Sequence, residues 1–117
     1  MSPVGFQRAE TLSLAQAIQI GRQTEWDYTI VAQSPFTAEA VAKIFDSTDH
    51  VADWKGEGYS YVLDKADMDV LCEAAARYEL DDAQVRDFII YYATFDADPP
   101  WLADLLKAKN VAKGEPA

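Results

Sequence analysis

The sequence predicts an α+β fold, a small sheet of two or three strands packed with four to five helices, with the second half of the chain helical. Three observations predict it. EWDYTIVA, residues 25–32, alternates apolar and polar side chains with a period of two. Asp64 and Asp81 each stand before a run of apolar residues at helical spacing. Asp98-Pro99-Pro100 opens a third such run, with proline tolerated in a first helical turn.

The elements follow in chain order. Thr11 or Ser13 caps a short helix through about Arg22, because Ser13 with Gln16 has capping-box spacing and Gly21 suits the end. The strand after it puts Trp26, Tyr28 and Ile30 on one side and Asp27 and Thr29 on the other, and Ser34-Pro35 bounds it. SPFTAEAVAKIF then reads as a helix. Thr37 is its natural N-cap, Glu39 meets the positive end of the dipole, and Val41, Ile44, Phe45 and Thr48 carry it towards Trp54. WKGEGYSYVLD reads as a turn with two glycines and a strand with Tyr59, Tyr61 and Leu63 on one face. Strand, helix and strand in that order allow a right-handed parallel crossover. Two strands make a poor sheet, so a third is expected from VGFQRA near the start or from a second copy of the chain, as a homodimer.

The remainder reads as helices. Asp64 caps one with the core face Met68, Leu71, Cys72 and Ala75. Asp81 and Gln84 form a capping box for one with the face Val85, Phe88, Ile89 and Tyr92. Trp101, Leu102, Leu105 and Leu106 face inward on the last. The chain is expected to be one domain over 1–117, with 1–10 and 111–117 loosely ordered.

Of 117 residues half are apolar and 12% aromatic, enough to fold rather than stay disordered. No apolar run approaches the roughly 18 residues of a membrane span. The start lacks the layout of a secretory signal, and the single cysteine, Cys72, excludes an internal disulfide; both point to a cytoplasmic protein.

The net charge of −10 is unevenly spread. From Asp46 to Asp104 there are 15 acids against four bases (Lys55, Lys65, Arg77, Arg86), a net of −11; the rest of the chain, with five acids and six bases, has a net of +1. Direct binding of DNA or RNA is excluded as an expectation, because it depends on neutralising phosphates with Lys and Arg.

FDSTDHVADWKGEGY, residues 45–59, holds four carboxylates, a tryptophan, a tyrosine and the only histidine. On a helix, Asp46, Asp49, His50 and Asp53 share one face. One imidazole and three carboxylates suit manganese or non-haem iron, but there is no second histidine for the usual triad. A calcium loop would need acids at positions one, three and five, whereas these fall at one, four and eight. The local reading is the solvated face of an amphipathic helix, with no metal or other cofactor.

Catalytic patterns are equally weak. Asp49 and His50 are helical neighbours and point apart. Cys72 falls on an apolar face, where a thiol is inert. Ser34, Ser47 and Ser60 lack a glycine elbow, and Glu57 between Gly56 and Gly58 would repel phosphate. The expectation is that the protein is not an enzyme, with a small enzyme or ligand-binding domain, built on an aromatic and carboxylate pocket, as the rival from another class.

What remains is the acidic surface. Asp46, Asp49, Asp53 and Glu57 on a helix would step by about 4.5 to 6 Å per interval. Further clusters are Asp64, Asp67, Asp69 and Glu73, then Glu79, Asp81 and Asp82, with Asp87 beyond. Asp64, Asp81 and Asp98 serve as helix caps, which still leaves 12 acids against the four bases. Trp54, between Asp53 and Lys55, is the aromatic residue best placed to touch a partner.

In size and charge, and through no motif, the chain resembles the small acidic inhibitors of phages and mobile elements. That resemblance implies an anti-CRISPR or antirestriction type of inhibitor that imitates the phosphate array of a duplex. The expected site is Asp46, Asp49, Asp53, Trp54, Glu57, Asp67, Asp69, Glu73, Glu79, Asp82 and Asp87. The expected partner is a basic nucleic-acid-binding protein: a nuclease, a CRISPR effector or a restriction component. An immunity protein neutralising a cationic nuclease toxin is the alternative within the same class.

Overall fold

The computed structural model describes residues 9–47 and 54–112. In chain order these form β1 (Leu12–Ser13), α1 (Leu14–Arg22), β2 (Tyr28–Ala32), β3 (Val41–Asp46), β4 (Ser60–Asp64), α2 (Lys65–Arg77), α3 (Asp82–Phe95) and α4 (Pro100–Ala112). The class is α+β. Among the described residues the sheet has four strands, in the order β1-β3-β2-β4, and each neighbouring pair is antiparallel.

Ser13 rather than Thr11 caps α1. Its hydroxyl accepts from the Gln16 amide at 3.1 Å, and the Gln16 side chain accepts from the Ser13 amide at 2.9 Å. Gly21 lies in the last helical turn instead of beyond it. It is required by a close approach: a Cβ there would come within 2.8 Å of the Tyr28 phenol oxygen.

The helix expected from Thr37 towards Trp54 is not formed over the described residues. Val41–Asp46 is β3, running from Ala32↔Ala42 to Tyr28↔Asp46 against β2. Thr37 lies in the connection, where its carbonyl accepts from the Ala40 amide at 3.1 Å. Val41, Ile44 and Phe45 fit the helical period, but they are also good strand formers. As a strand, the segment buries Ala42 and Ile44 in the main core and Phe45 in a second cluster across the sheet. Pairing with β2 also satisfies its backbone, so tertiary context overrides the helical spacing. A hairpin therefore replaces the expected parallel crossover. The third strand expected from VGFQRA falls largely on residues outside those described; β1 and β3 complete the described sheet.

β4 carries a second departure. Ile30 pairs with Leu63 but Val31 with Tyr61, so Val62 is an extra, bulged residue. The bulge breaks alternation. Val62 and Leu63 both enter the main core, Tyr59 is buried in the second cluster, and Tyr61 is 44% exposed. The three residues expected on one face are thus divided. Among the described residues β4 has β2 on one side and is a sheet edge on the other.

The main core joins Tyr28, Ile30 and Leu63 of the sheet to Leu14 and Ile18 of α1, Met68 and Leu71 of α2, Phe88 and Ile89 of α3 and Leu102 of α4. The smaller cluster of Ala9, Val31, Phe45 and Tyr59, with Trp54 against it, covers the other side of β2. Helices α2 and α3 start where the sequence places them. Asp64 accepts from the Asp67 amide at 2.9 Å, and Asp81 with Gln84 forms the reciprocal box. α4 begins at Pro100, so Pro99 and not Asp98 flanks it. No helix among the described residues is long and apolar enough to cross a membrane.

Candidate functional site

The expected acidic residues separate into groups. Asp49 and Asp53, with His50, lie outside the described residues. Asp46 ends β3, and Trp54 and Glu57 lie in the turn before β4. The regular helical ladder of Asp46, Asp49, Asp53 and Glu57 is therefore not realised, because its first member is in a strand and its last in a turn. Trp54 is half-buried against the second cluster, with the Lys55 ammonium 5.3 Å above its ring. Its surface is partly spent within the fold.

The other six belong to α2, α3 and the turn joining them. Asp67 sits in the first turn of α2 and accepts a 2.7 Å hydrogen bond from the Tyr61 phenol. Asp69 pairs with Lys65 at 2.8 Å, and Glu73 is exposed one turn further along the same helix. Glu79 follows α2 with φ of 57°, and its carbonyl and that of Tyr78 accept from the Lys109 ammonium. Asp82 pairs with Arg22 at 3.3 Å, and Asp87 with the Arg86 Nε at 3.0 Å. These are exposed pairs, worth at most about 1 kcal/mol each and readily exchanged for a partner's cations. The helices beneath them are anchored by Met68, Leu71, Val85, Phe88 and Ile89, so the carboxylates have fixed origins.

Asp87 also borders an aromatic groove, which sequence reasoning did not assemble. The groove has a volume of about 660 Å³ and runs between the Ser34–Thr37 connection, α3 and the start of α4. Phe36, Tyr91, Phe95 and Trp101 are its rings. Tyr91 and Phe95 lie 4.5 Å apart between centroids, and Phe95 is 62% exposed. A second hollow of about 450 Å³, bounded by Gln84 and Leu105, shares Asp87 and Trp101 with it. One sequence signal was present: Asp87, Tyr91 and Phe95 are spaced i, i+4, i+8, a stripe beside the core face of α3. The opposing wall, Phe36 and Trp101, comes from distant segments.

A further hollow of about 400 Å³ lies beside the β4 edge, where Tyr61, Val70 and Tyr92 meet Asp67 and Asp96. Val70 is exposed.

Among the described residues no group of three or more His, Cys, Asp or Glu side chains is placed to hold a metal ion. Cys72 is half-buried, and burial pushes its thiol up, with the Arg22 guanidinium opposing. At neutral pH the group is held as the unreactive thiol. The arrangement as a whole offers carboxylates beside exposed rings, a chemistry of recognition by charge and stacking. No family model, curated protein or solved structure matches the chain.

Proposed function

We propose that the protein is a non-enzymatic binding inhibitor of the phage or mobile-element anti-defence type. Its α2–α3 surface would occupy the basic, nucleic-acid-binding cleft of a nuclease, CRISPR effector or restriction component. The observation that supports this reading is the rooting of exposed Asp67, Asp69, Glu73, Asp82 and Asp87 on two core-anchored helices in the acidic half of the chain. Such carboxylates lose little conformational freedom on binding, and a cationic cleft built for phosphates accepts charges of the same sign. The surplus negative charge steers association and makes it salt-sensitive.

The test pairs two double variants of equal charge change. Asp69→Lys with Glu73→Lys reverses the α2 surface; Glu25→Lys with Glu39→Lys changes the net charge identically at exposed positions outside the acidic segment. The immobilised protein is expected to capture a basic nucleic-acid-binding protein from lysate and release it to duplex DNA or high salt. The α2 variant should lose capture and the control retain it. Capture indifferent to DNA and salt, or equal loss in both variants, would overturn the reading.

A further inference from the structure

We propose that the Asp87 groove is the receptor for an arginine side chain of the partner. This rests on the inhibitor reading for the identity of the partner, while the chemistry of the groove stands on its own residues.

The groove combines two features that seldom meet on an exposed surface. One is a set of rings: Tyr91 and Phe95 in contact along α3, tilted by 41° to one another, with Phe36 and Trp101 from the other walls. The other is an acidic residue, Asp87, which lines both this hollow and its neighbour. Rings attract a cation through their quadrupole, and the attraction grows as the cation is desolvated. A guanidinium is planar, so it can stack on a ring while its fork of N–H donors meets a carboxylate; an ammonium can do only part of this.

The surrounding charges agree. Asp98 and Asp104 lie three residues to either side of Trp101, and both are exposed. The nearest cation is Arg86, whose Nε engages the Asp87 Oδ1 from the adjacent position in the chain. Lys107 is exposed on α4 about 9 Å of helical rise beyond Trp101. An apolar or proline-rich segment would fill the rings but bring Asp87 no donor beyond the Arg86 Nε it already has, at a desolvation cost. A second copy of the chain would bring another net charge of −10 to the same surface. Arginine satisfies both halves of the groove.

The juxtaposition also extends the imitation of nucleic acid. A single strand presents a phosphate beside the π face of a base, and clefts that bind it supply arginines to both. Asp87 and the rings of Tyr91 and Phe95 offer an anionic oxygen and a π surface in the same order.

The test uses the intact chain and three short Gly/Ser peptides with a central arginine, lysine or citrulline, the last a neutral isostere of arginine. Binding is followed by NMR, with the Trp101 indole signal assigned by its loss in Trp101→Phe. The arginine peptide should shift that signal and the amides around Asp87 saturably, the lysine peptide less, and citrulline not at all. Asp87→Asn should weaken the arginine peptide about tenfold, and Phe95→Ala by a similar factor. Phe95 is exposed enough for its variant to fold, and the amide spectrum checks this. Equal binding of citrulline, shifts confined to other surfaces, or indifference to Asp87→Asn would overturn the proposal. If capture of a basic partner depends on Asp69 and Glu73 while the arginine peptide does not bind, the groove fails and the inhibitor reading stands. If the peptide binds as described but no basic partner is captured, the reverse holds.

Discussion

The Tyr61 phenol donates a 2.7 Å hydrogen bond to Asp67 Oδ2, tying the edge strand β4 to the first turn of α2. Burial, followed by this bond and the negative charge of Asp67, pushes the phenol above the ordinary tyrosine range. Tyr28 is pushed up as well, chiefly by burial. The sign of the linkage follows. Unfolded tyrosines release their protons near pH 10 while these two retain theirs, so their contribution is complete below about pH 10 and falls as pH rises beyond it. Alkaline titration of phenolate absorbance should show two late tyrosines, with Tyr61→Phe and Tyr28→Phe each removing one. Late ionisation unchanged in either variant would contradict the assignment.

The Tyr28 phenol donates a 2.9 Å hydrogen bond to the Gly21 carbonyl while pressing on the glycine itself. Tyr28→Phe should cost about 1 kcal/mol through the lost buried bond. Gly21→Ala should cost about 2 kcal/mol, because its methyl group meets a ring held in the core. The two residues share one contact, so the double variant should be less destabilised than the sum in urea denaturation.

Ser13, Asp64 and Asp81 accept from amides at the starts of three helices. Each replaced by alanine should lower stability by about 1 kcal/mol, and Asp81→Asn by much less, since asparagine caps as well as aspartate. Partner capture per folded molecule should survive Asp81→Asn. That comparison separates an acid used for folding from one offered to a partner.

Cys72 should react slowly with a thiol reagent at neutral pH and quickly once denaturant exposes it, because burial raises its thiol pKa. Arg22 opposes that rise through its charge and a hydrogen bond. Arg22→Ala should therefore move the midpoint of the pH–rate profile upward. A downward shift would contradict the assigned role of Arg22.

What the sequence revealed was what local chemistry decides. The Ser13–Gln16 and Asp81–Gln84 boxes and the Asp64 cap depend on residues three apart, and all three helices begin there. β3 was hidden because Val41, Ile44 and Phe45 follow the helical period, with apolar residues on both faces of the strand, and the deciding partner, β2, lies across a connection. The bulge at Val62 leaves no mark in composition. At the candidate site, the stripe Asp87, Tyr91, Phe95 was visible on its helix. That it faces Phe36 and Trp101 is a property of tertiary packing. The acidic excess was legible as a number, but its supposed ladder depended on a helix that the hairpin displaces.

The position of β4 at the edge of the sheet formed by the described residues has a consequence for handling the protein. A bare strand edge invites a second molecule to add to the sheet, the first step towards aggregates. Here the chain carries a net charge of −10, so an incoming copy is repelled at neutral pH. Acidification towards the isoelectric point of about 4.3 removes that net charge. Light scattering should then rise while the chain is still folded, and Tyr61→Lys, which leaves a positive charge on the strand, should delay it.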